Sequence, residues 1–323
     1  MSSRRATTPC PEFGFVATKS RSQKKRSRFY SLLSISCLSR LRGVRVGLLV
    51  CLAALLVLCA CKWDLWAIAT RKTVEQRVRE DLSGQPPAPD PVAVNPDSFR
   101  FAVFGDPQIQ HDNVSRLGKF KQEVAARSID FFCVLGDLTN DATMDEVDSI
   151  KLDLDRIGIP YYATIGNHDL FQTDGWERFK ENYGPSCYPV VIADRIKLIF
   201  LDTADGTIGP TQFDWLETEL QDSAHVKMVL THFPVYDGGK PLMWRLASDA
   251  ERVKVQSLLE KYGAYAWCAG HTHGLRHMQV GTVHHFTCGA MAPDGVGLDY
   301  GNPGFLLFTF AHDSLSWEFV EIE

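Results

Sequence analysis

Five short polar clusters in this chain combine carboxylates, amides and imidazoles at the ends of apolar runs. They are Asp106-Pro-Gln108, Gly136-Asp137-Leu-Thr-Asn140, Gly166-Asn167-His168-Asp169, His232 and Gly270-His271-Thr-His273. Hard oxygen donors mixed with imidazoles suit Mn²⁺, Fe or Zn²⁺. One carboxylate can bridge two cations, and a pair about 3.5–4 Å apart can activate water and clamp a phosphoryl group. No single cluster is informative, because a lone Gly-Asp is usually a turn and a lone buried His is usually a satisfied core residue. The ordered set is what points to metal chemistry.

Such a set works only if the fold brings its members together. Phe99–Phe104, Phe131–Leu135 and Tyr161–Ile165 are short apolar runs, each ending in Gly and polar residues. Helical spacing separates them: Val114, Leu117, Phe120 and Val124 within 113–127, then Val147, Ile150, Leu154 and Ile157 within 144–157. This is a β-α-β-α-β opening and predicts a largely parallel sheet. A strand pair at 188–192 and 196–202, a helix at 211–223, a strand at 226–230, a helix at 249–262 and a strand at 264–269 follow. Segments 277–290 and 304–321 read as β-rich and more antiparallel. In open α/β sheets ligands bind beyond the carboxyl ends of the strands, and all five clusters fall there.

Taken in order, the clusters resemble the calcineurin-like metallophosphoesterase superfamily. The resemblance runs directly over about 100–273. It implies a two-sheet α/β sandwich, with mixed central sheets flanked by helices, that hydrolyses phosphomonoesters or phosphodiesters with water activated by two divalent cations. Carried over by position, it implies that Asp106, Gln108, Asp137 and His273 hold one cation. Asp137 as the bridge, with Asn167, His232 and His271, would hold the other. His168 would face the phosphate, and Asp169 would orient His168. Two positions depart from the pattern: Gln108 stands where the first motif usually has His, and Asn140 where the second usually has an acid, with Asp141 following. A neutral amide oxygen is a weaker donor, so Gln108 also admits a rival reading, a catalytically degenerate member that binds metal or a phosphorylated ligand without turnover.

Other residues compete for roles. His111 and Asp112 follow the first motif and read as a solvated loop. His284 and His285 sit on a strand whose alternation sends them to opposite faces. The loops 236–244 and 291–304 are long enough to select substrate, with Lys240, Trp244 and Tyr300 as candidate contacts. The four cysteines after residue 97 (Cys133, Cys187, Cys268 and Cys288) form no Cys-x-x-Cys pair and read as free thiols.

Charge divides the chain. Residues 1–45 hold 11 Lys/Arg against one acid, whereas residues 98–323 hold 18 basic and 32 acidic residues. The acidic globule is unsuited to bulk nucleic-acid binding, which needs a basic footprint. The tail reads as disordered, and residues 46–68 as a hydrophobic membrane anchor or signal segment. Leu58-Cys-Ala-Cys61 also resembles a lipobox, with Cys61 as the lipidated residue. Positive charge stays on the cytoplasmic side, so the catalytic domain, 98–323, is expected to be extracytoplasmic. Residues 69–97, a charged helix followed by a proline-rich stretch, read as a spacer.

Overall fold

The computed structural model describes residues 71–84, 87–109, 116–236, 244–292 and 303–322. The chain enters through α1 (Val74–Leu82), which a reciprocal capping box starts: the Thr73 hydroxyl accepts from Gln76 N–H, and the Gln76 amide accepts from Thr73 N–H. In β1 (Ser98–Phe104) the side chains alternate with period two. Phe99, Phe101 and Val103 face one core, and Ala102 and Phe104 another.

α2 (Leu117–Arg127) and α3 (Met144–Asp155) cross from β1 to β2 (Phe131–Leu135) and from β2 to β3 (Tyr161–Thr164). All three strands are parallel. The chain then makes a 3₁₀ turn (His168–Leu170), α4 (Gly175–Tyr183), and the antiparallel pair β4 (Tyr188–Ile192) and β5 (Ile196–Phe200). α5 (Pro210–Leu220), β6 (Val226–Thr231), α6 (Asp249–Lys261) and β7 (Ala266–Ala269) follow. Next come β8 (Leu275–Val280), β9 (Val283–Cys288), β10 (Gly304–Ala311) and β11 (Ser314–Glu321).

Two mixed sheets result, ordered β11-β10-β1-β2-β3 and β4-β5-β6-β7-β9-β8. They pack face to face over a core that includes Phe101, Phe131 and Cys133 from one sheet and Leu198, Phe200, Leu230 and Cys268 from the other. On the outer face of the first sheet Phe120, Val124, Ile150, Leu154 and Phe179 of α2, α3 and α4 are buried. On that of the second, Phe213, Leu216, Val255 and Leu259 of α5 and α6 cover Ile199, Val229 and Trp267. The order helices, sheet, sheet, helices is the sandwich expected from sequence. The helix unforeseen there is α4, although Trp176, Phe179 and Tyr183 carry its spacing at i, i+3 and i+7.

The expected spacer needs correcting. Helix α1 and, beyond it, Val92 and Val94 pack onto the domain, so the stretch before Ser98 is not a free spacer. Arg77 is fully buried and grips Asp202 with two bonds, Nε to Oδ2 at 2.7 Å and Nη2 to Oδ1 at 2.9 Å. Removing one partner of such a buried pair costs about 3–5 kcal/mol. Farther along, Val92 and Val94 pack against the inter-sheet core. Tyr162 Oη accepts from Val92 N–H at 2.8 Å and donates to the Asp90 carbonyl at 3.1 Å. Prolines stiffen this segment, but its valines find core to cover. The basic tail and the run at 46–68 lie outside the described residues. Among the described residues no helix is long and apolar enough to cross a membrane.

Candidate metal centre

The clusters meet where the parallel strands end. Asp106 follows β1, Asp137 follows β2, Asn167 follows β3, His232 follows β6, and His271 and His273 follow β7. Two glycines let the strands of opposite sheets approach there. A Cβ on Gly105 would lie 2.9 Å from the Gly270 Cα, and one on Gly270 would lie 2.7 Å from Asp106 Oδ2. The Asp106 carboxylate, fully buried, accepts His271 N–H at 2.8 and 3.1 Å and lies 3.5 Å from His273 Nε2. Asp106, Gln108, Asp137, His271 and His273 all adopt positive φ, from 38° to 64°. Such backbone costs roughly 1–3 kcal/mol per non-glycine residue and persists only where the surroundings enforce it.

Asp137 sits at the middle. His168 N–H donates to its Oδ1 at 2.8 Å, His232 Nε2 lies 3.3 Å from the same oxygen, and Gln108 Nε2 reaches its Oδ2 at 3.4 Å. Burial would raise the Asp137 carboxyl, but the charges of His232, His168 and His271 outweigh it and hold that carboxyl well below the usual range. The converse holds for His232: burial lowers it, yet Asp137 drives it up to about 9. His273 is likewise raised, with burial opposed by Asp106.

These contacts fit cations. Ligand atoms of Asp137, His232 and His271 lie within 4.8 Å of one another. His232 Nδ1 donates to the Leu135 carbonyl at 2.7 Å, which leaves Nε2 as the free nitrogen. Asn167 Oδ1 at 3.0 Å and Asp137 Oδ1 at 3.3 Å converge on it. Acceptors gathered so closely require a proton or a cation between them, and metal binding would expel the protons. Gln108 Oε1 is buried and has no hydrogen-bond partner. An amide oxygen left so is costly unless something cationic meets it.

The other predicted site residues separate. His168 Nδ1 donates to the Asn140 carbonyl at 2.7 Å, and its Nε2 lies 3.9 Å from Asp137 Oδ2. Asp169, expected to orient His168, instead accepts Thr139 N–H and Thr139 Oγ1, both at 3.1 Å, and Gly166 N–H at 2.9 Å. Burial, then the charge of Asp137, pushes its carboxyl up to about 7. It braces two ligand loops while a backbone carbonyl holds the histidine. A carbonyl in that role leaves no trace in residue type, so sequence reasoning missed it.

Trp244 lies near the site, its ring 5.5 Å from that of His271. Lys240, Tyr300, His111 and Asp112 fall outside the described residues. His285 binds Gln256 and His284 binds His277, so both are engaged elsewhere. The four thiols are free and buried; Cys187 packs beneath α1 with Val74 and Val78.

Comparisons with known proteins bear on the family and the fold. The family model for calcineurin-like phosphoesterases matches residues 99–275. A protein of Fibrobacter succinogenes named a probable cyclic nucleotide phosphodiesterase is 28% identical over 163 residues, covering 49% of this chain and 59% of that one. A Synechococcus protein also named a probable cyclic nucleotide phosphodiesterase is 32% identical over 130 residues, covering 38% of this chain and 48% of its own length. The match thus spans about half the length of these relatives. A dimetal phosphatase from Danio rerio has the same fold, with a TM-score of 0.53 at 12% identity over 69% of this chain and 96% of the other.

Proposed function

The chain belongs to the calcineurin-like phosphoesterase family, hydrolases acting on phosphoesters, and from that premise we propose that it is a phosphodiesterase using two divalent cations. The observation that carries this reading is the chain of close contacts that joins Asp106, Gln108, Asp137, Asn167, His232, His271 and His273 at the strand ends. The names of the two bacterial relatives favour a diester over a monoester and suggest a cyclic nucleotide as the substrate class.

Asp106, Gln108, Asp137 and His273 would hold one cation, and Asp137, Asn167, His232 and His271 the other. Bound cations, Mn²⁺ or Fe by the mixed oxygen and nitrogen donors and Zn²⁺ as the alternative, would activate water and neutralise phosphoryl charge. His168 has its Nδ1 proton committed to Asn140, so Nε2 is the nitrogen that would meet the phosphate or protonate the leaving oxygen. Trp244 would supply an aromatic wall to the substrate, joined by Lys240 and Tyr300.

The test uses metal-free protein resupplied with Mn²⁺, assayed on bis(p-nitrophenyl) phosphate and p-nitrophenyl phosphate, with Asp137→Asn as the blank. Metal-dependent turnover weighted to the diester is expected. Bound metal without turnover of either would favour the degenerate, ligand-binding reading.

Attachment belongs to the same proposal. The basic tail and the apolar run at 46–68 would hold the catalytic domain outside the cytoplasm, through a retained anchor or a lipidated Cys61; the charge asymmetry across that run supports it. Protease added to intact cells should digest the domain, and protection would contradict this orientation.

A further inference from the structure

α1 lies outside the segment that the family model matches, yet buried polar contacts lead from it to two ligand loops. The first route starts at Arg77, whose guanidinium is held by Asp202 just after β5. The next residue, Thr203, shares a hydrogen bond with Thr231 Oγ1 at 2.8 Å and accepts Phe233 N–H at 2.8 Å. Those two partners flank His232.

The second route starts one turn later. Asp81 Oδ2 accepts Ser186 N–H at 2.9 Å, Ser186 Oγ at 3.0 Å and Cys187 N–H at 3.1 Å. The Ser186 carbonyl accepts from Thr164 Oγ1 at 3.1 Å, and Thr164 is the last residue of β3, three before Asn167. Thr164 Oγ1 also reaches the Leu201 carbonyl at 2.8 Å, which Thr231 Oγ1 meets at 3.0 Å, so the routes are cross-linked. Every group along them is buried. Among the described residues neither route touches Asp106, Gln108 or His273.

We propose that α1 is a positioning element for one half of the centre: through Arg77–Asp202–Thr203 and Asp81–Ser186–Thr164 it holds His232 and Asn167 at the second cation site. The inference rests on the two-cation reading above. Its physical basis is that buried polar networks have few alternative arrangements, so the outermost member constrains the innermost. Residues that orient metal ligands typically change affinity 10- to 100-fold when lost.

The test is a calorimetric Mn²⁺ titration of the metal-free full chain. Wild type should take up two equivalents. Arg77→Met should keep the first at wild-type affinity and weaken the second about tenfold or more. Arg77→Lys, which keeps the charge but not the fork, should fall between. Because Arg77→Met can compromise folding, Thr203→Val breaks the inner link with α1 left docked, and should also weaken only the second equivalent. Leu154→Ala, a core truncation on the buried face of α3, controls for stability and should lower Tm without altering either affinity. Wild-type titrations for Arg77→Lys and Thr203→Val would overturn the inference while leaving two-cation binding intact. So would an equal loss of the second equivalent in Leu154→Ala. Failure of wild type to bind Mn²⁺ would instead overturn the two-cation reading and this inference with it.

Discussion

The two halves of the proposed centre differ in how far side chains share in holding them. Around Asp106, Gln108 and His273 the main chain does the holding, with positive φ at each ligand and glycines where two sheets come within Cβ distance. Around Asn167 and His232 the backbone is ordinary: Asn167 has φ −72°, and His232 is not among the positive-φ residues. There, beside the positive φ of His271 and the close approach of Gly166 to Asp137, side chains add to the holding through hydroxyls, carboxylates and one buried arginine. A strained backbone is intolerant of any added atom nearby. A side-chain network is intolerant of losing a member, even a distant one, and so can be extended by elements outside the shared family core.

The sharpest way to break the first half is Gly270→Ala, whose methyl would meet Asp106 Oδ2 and the Leu135 carbonyl. Loss of an Asp106 ligand bond should cost several kcal/mol of transition-state stabilisation, roughly 10³-fold in kcat/KM. A steady-state assay with Mn²⁺ checks this, and a fall below tenfold would show that the first half is not held by backbone fit. His168→Ala comes next. Its ring is held by the Asn140 carbonyl, and the N–H that binds Asp137 belongs to the backbone and survives the change, so metal uptake should persist while kcat falls about 10²-fold or more. Unchanged kcat would remove His168 from the mechanism.

Gln108→His sharpens the contrast within the first half. It replaces a buried amide oxygen lacking a partner with a stronger donor, so the first Mn²⁺ should bind about tenfold tighter. Identical titrations would mean that Gln108 is not a ligand.

The smallest expected effect belongs to the second half. Burial, then the charge of Asp202, pushes the Asp81 carboxyl up to about 7. The folded state therefore retains a proton that the unfolded chain has lost, over the window from about 4 to about 7. Stability from this group is present below that window and declines as pH rises through it. Asp81→Asn should flatten this part of the Tm–pH curve, leaving Tm near wild type at pH 5 and equal or higher at pH 8. A parallel pair of curves would show that Asp81 is ionised throughout.

What the sequence made legible divides along the same line. Asp137, Asn167, His271 and His273 stand beside Gly at the ends of apolar runs, because turns that aim ligands back over a strand end need those residue types locally. The β-α-β opening was readable for the same reason, through periodicity. Arg77–Asp202 was not, since its partners are 125 residues apart and each alone reads as surface charge. Nor was the packing of Val92 and Val94, where proline content suggested a free spacer. Helix α4 lay in between: its apolar spacing is present but spans only nine residues. The role assigned to Asp169 was misplaced because a backbone carbonyl competes for His168 without a residue-type signature.

In the proposed centre these loops hold two cations, with Asp137 shared between them. The most direct test of this sharing is the Mn²⁺ stoichiometry of metal-free wild type and of Asp137→Asn, each titrated calorimetrically. Two equivalents are expected for wild type and tight binding of neither in the variant, because a single carboxylate would serve both. A single equivalent in wild type, or two that survive in Asp137→Asn, would contradict it.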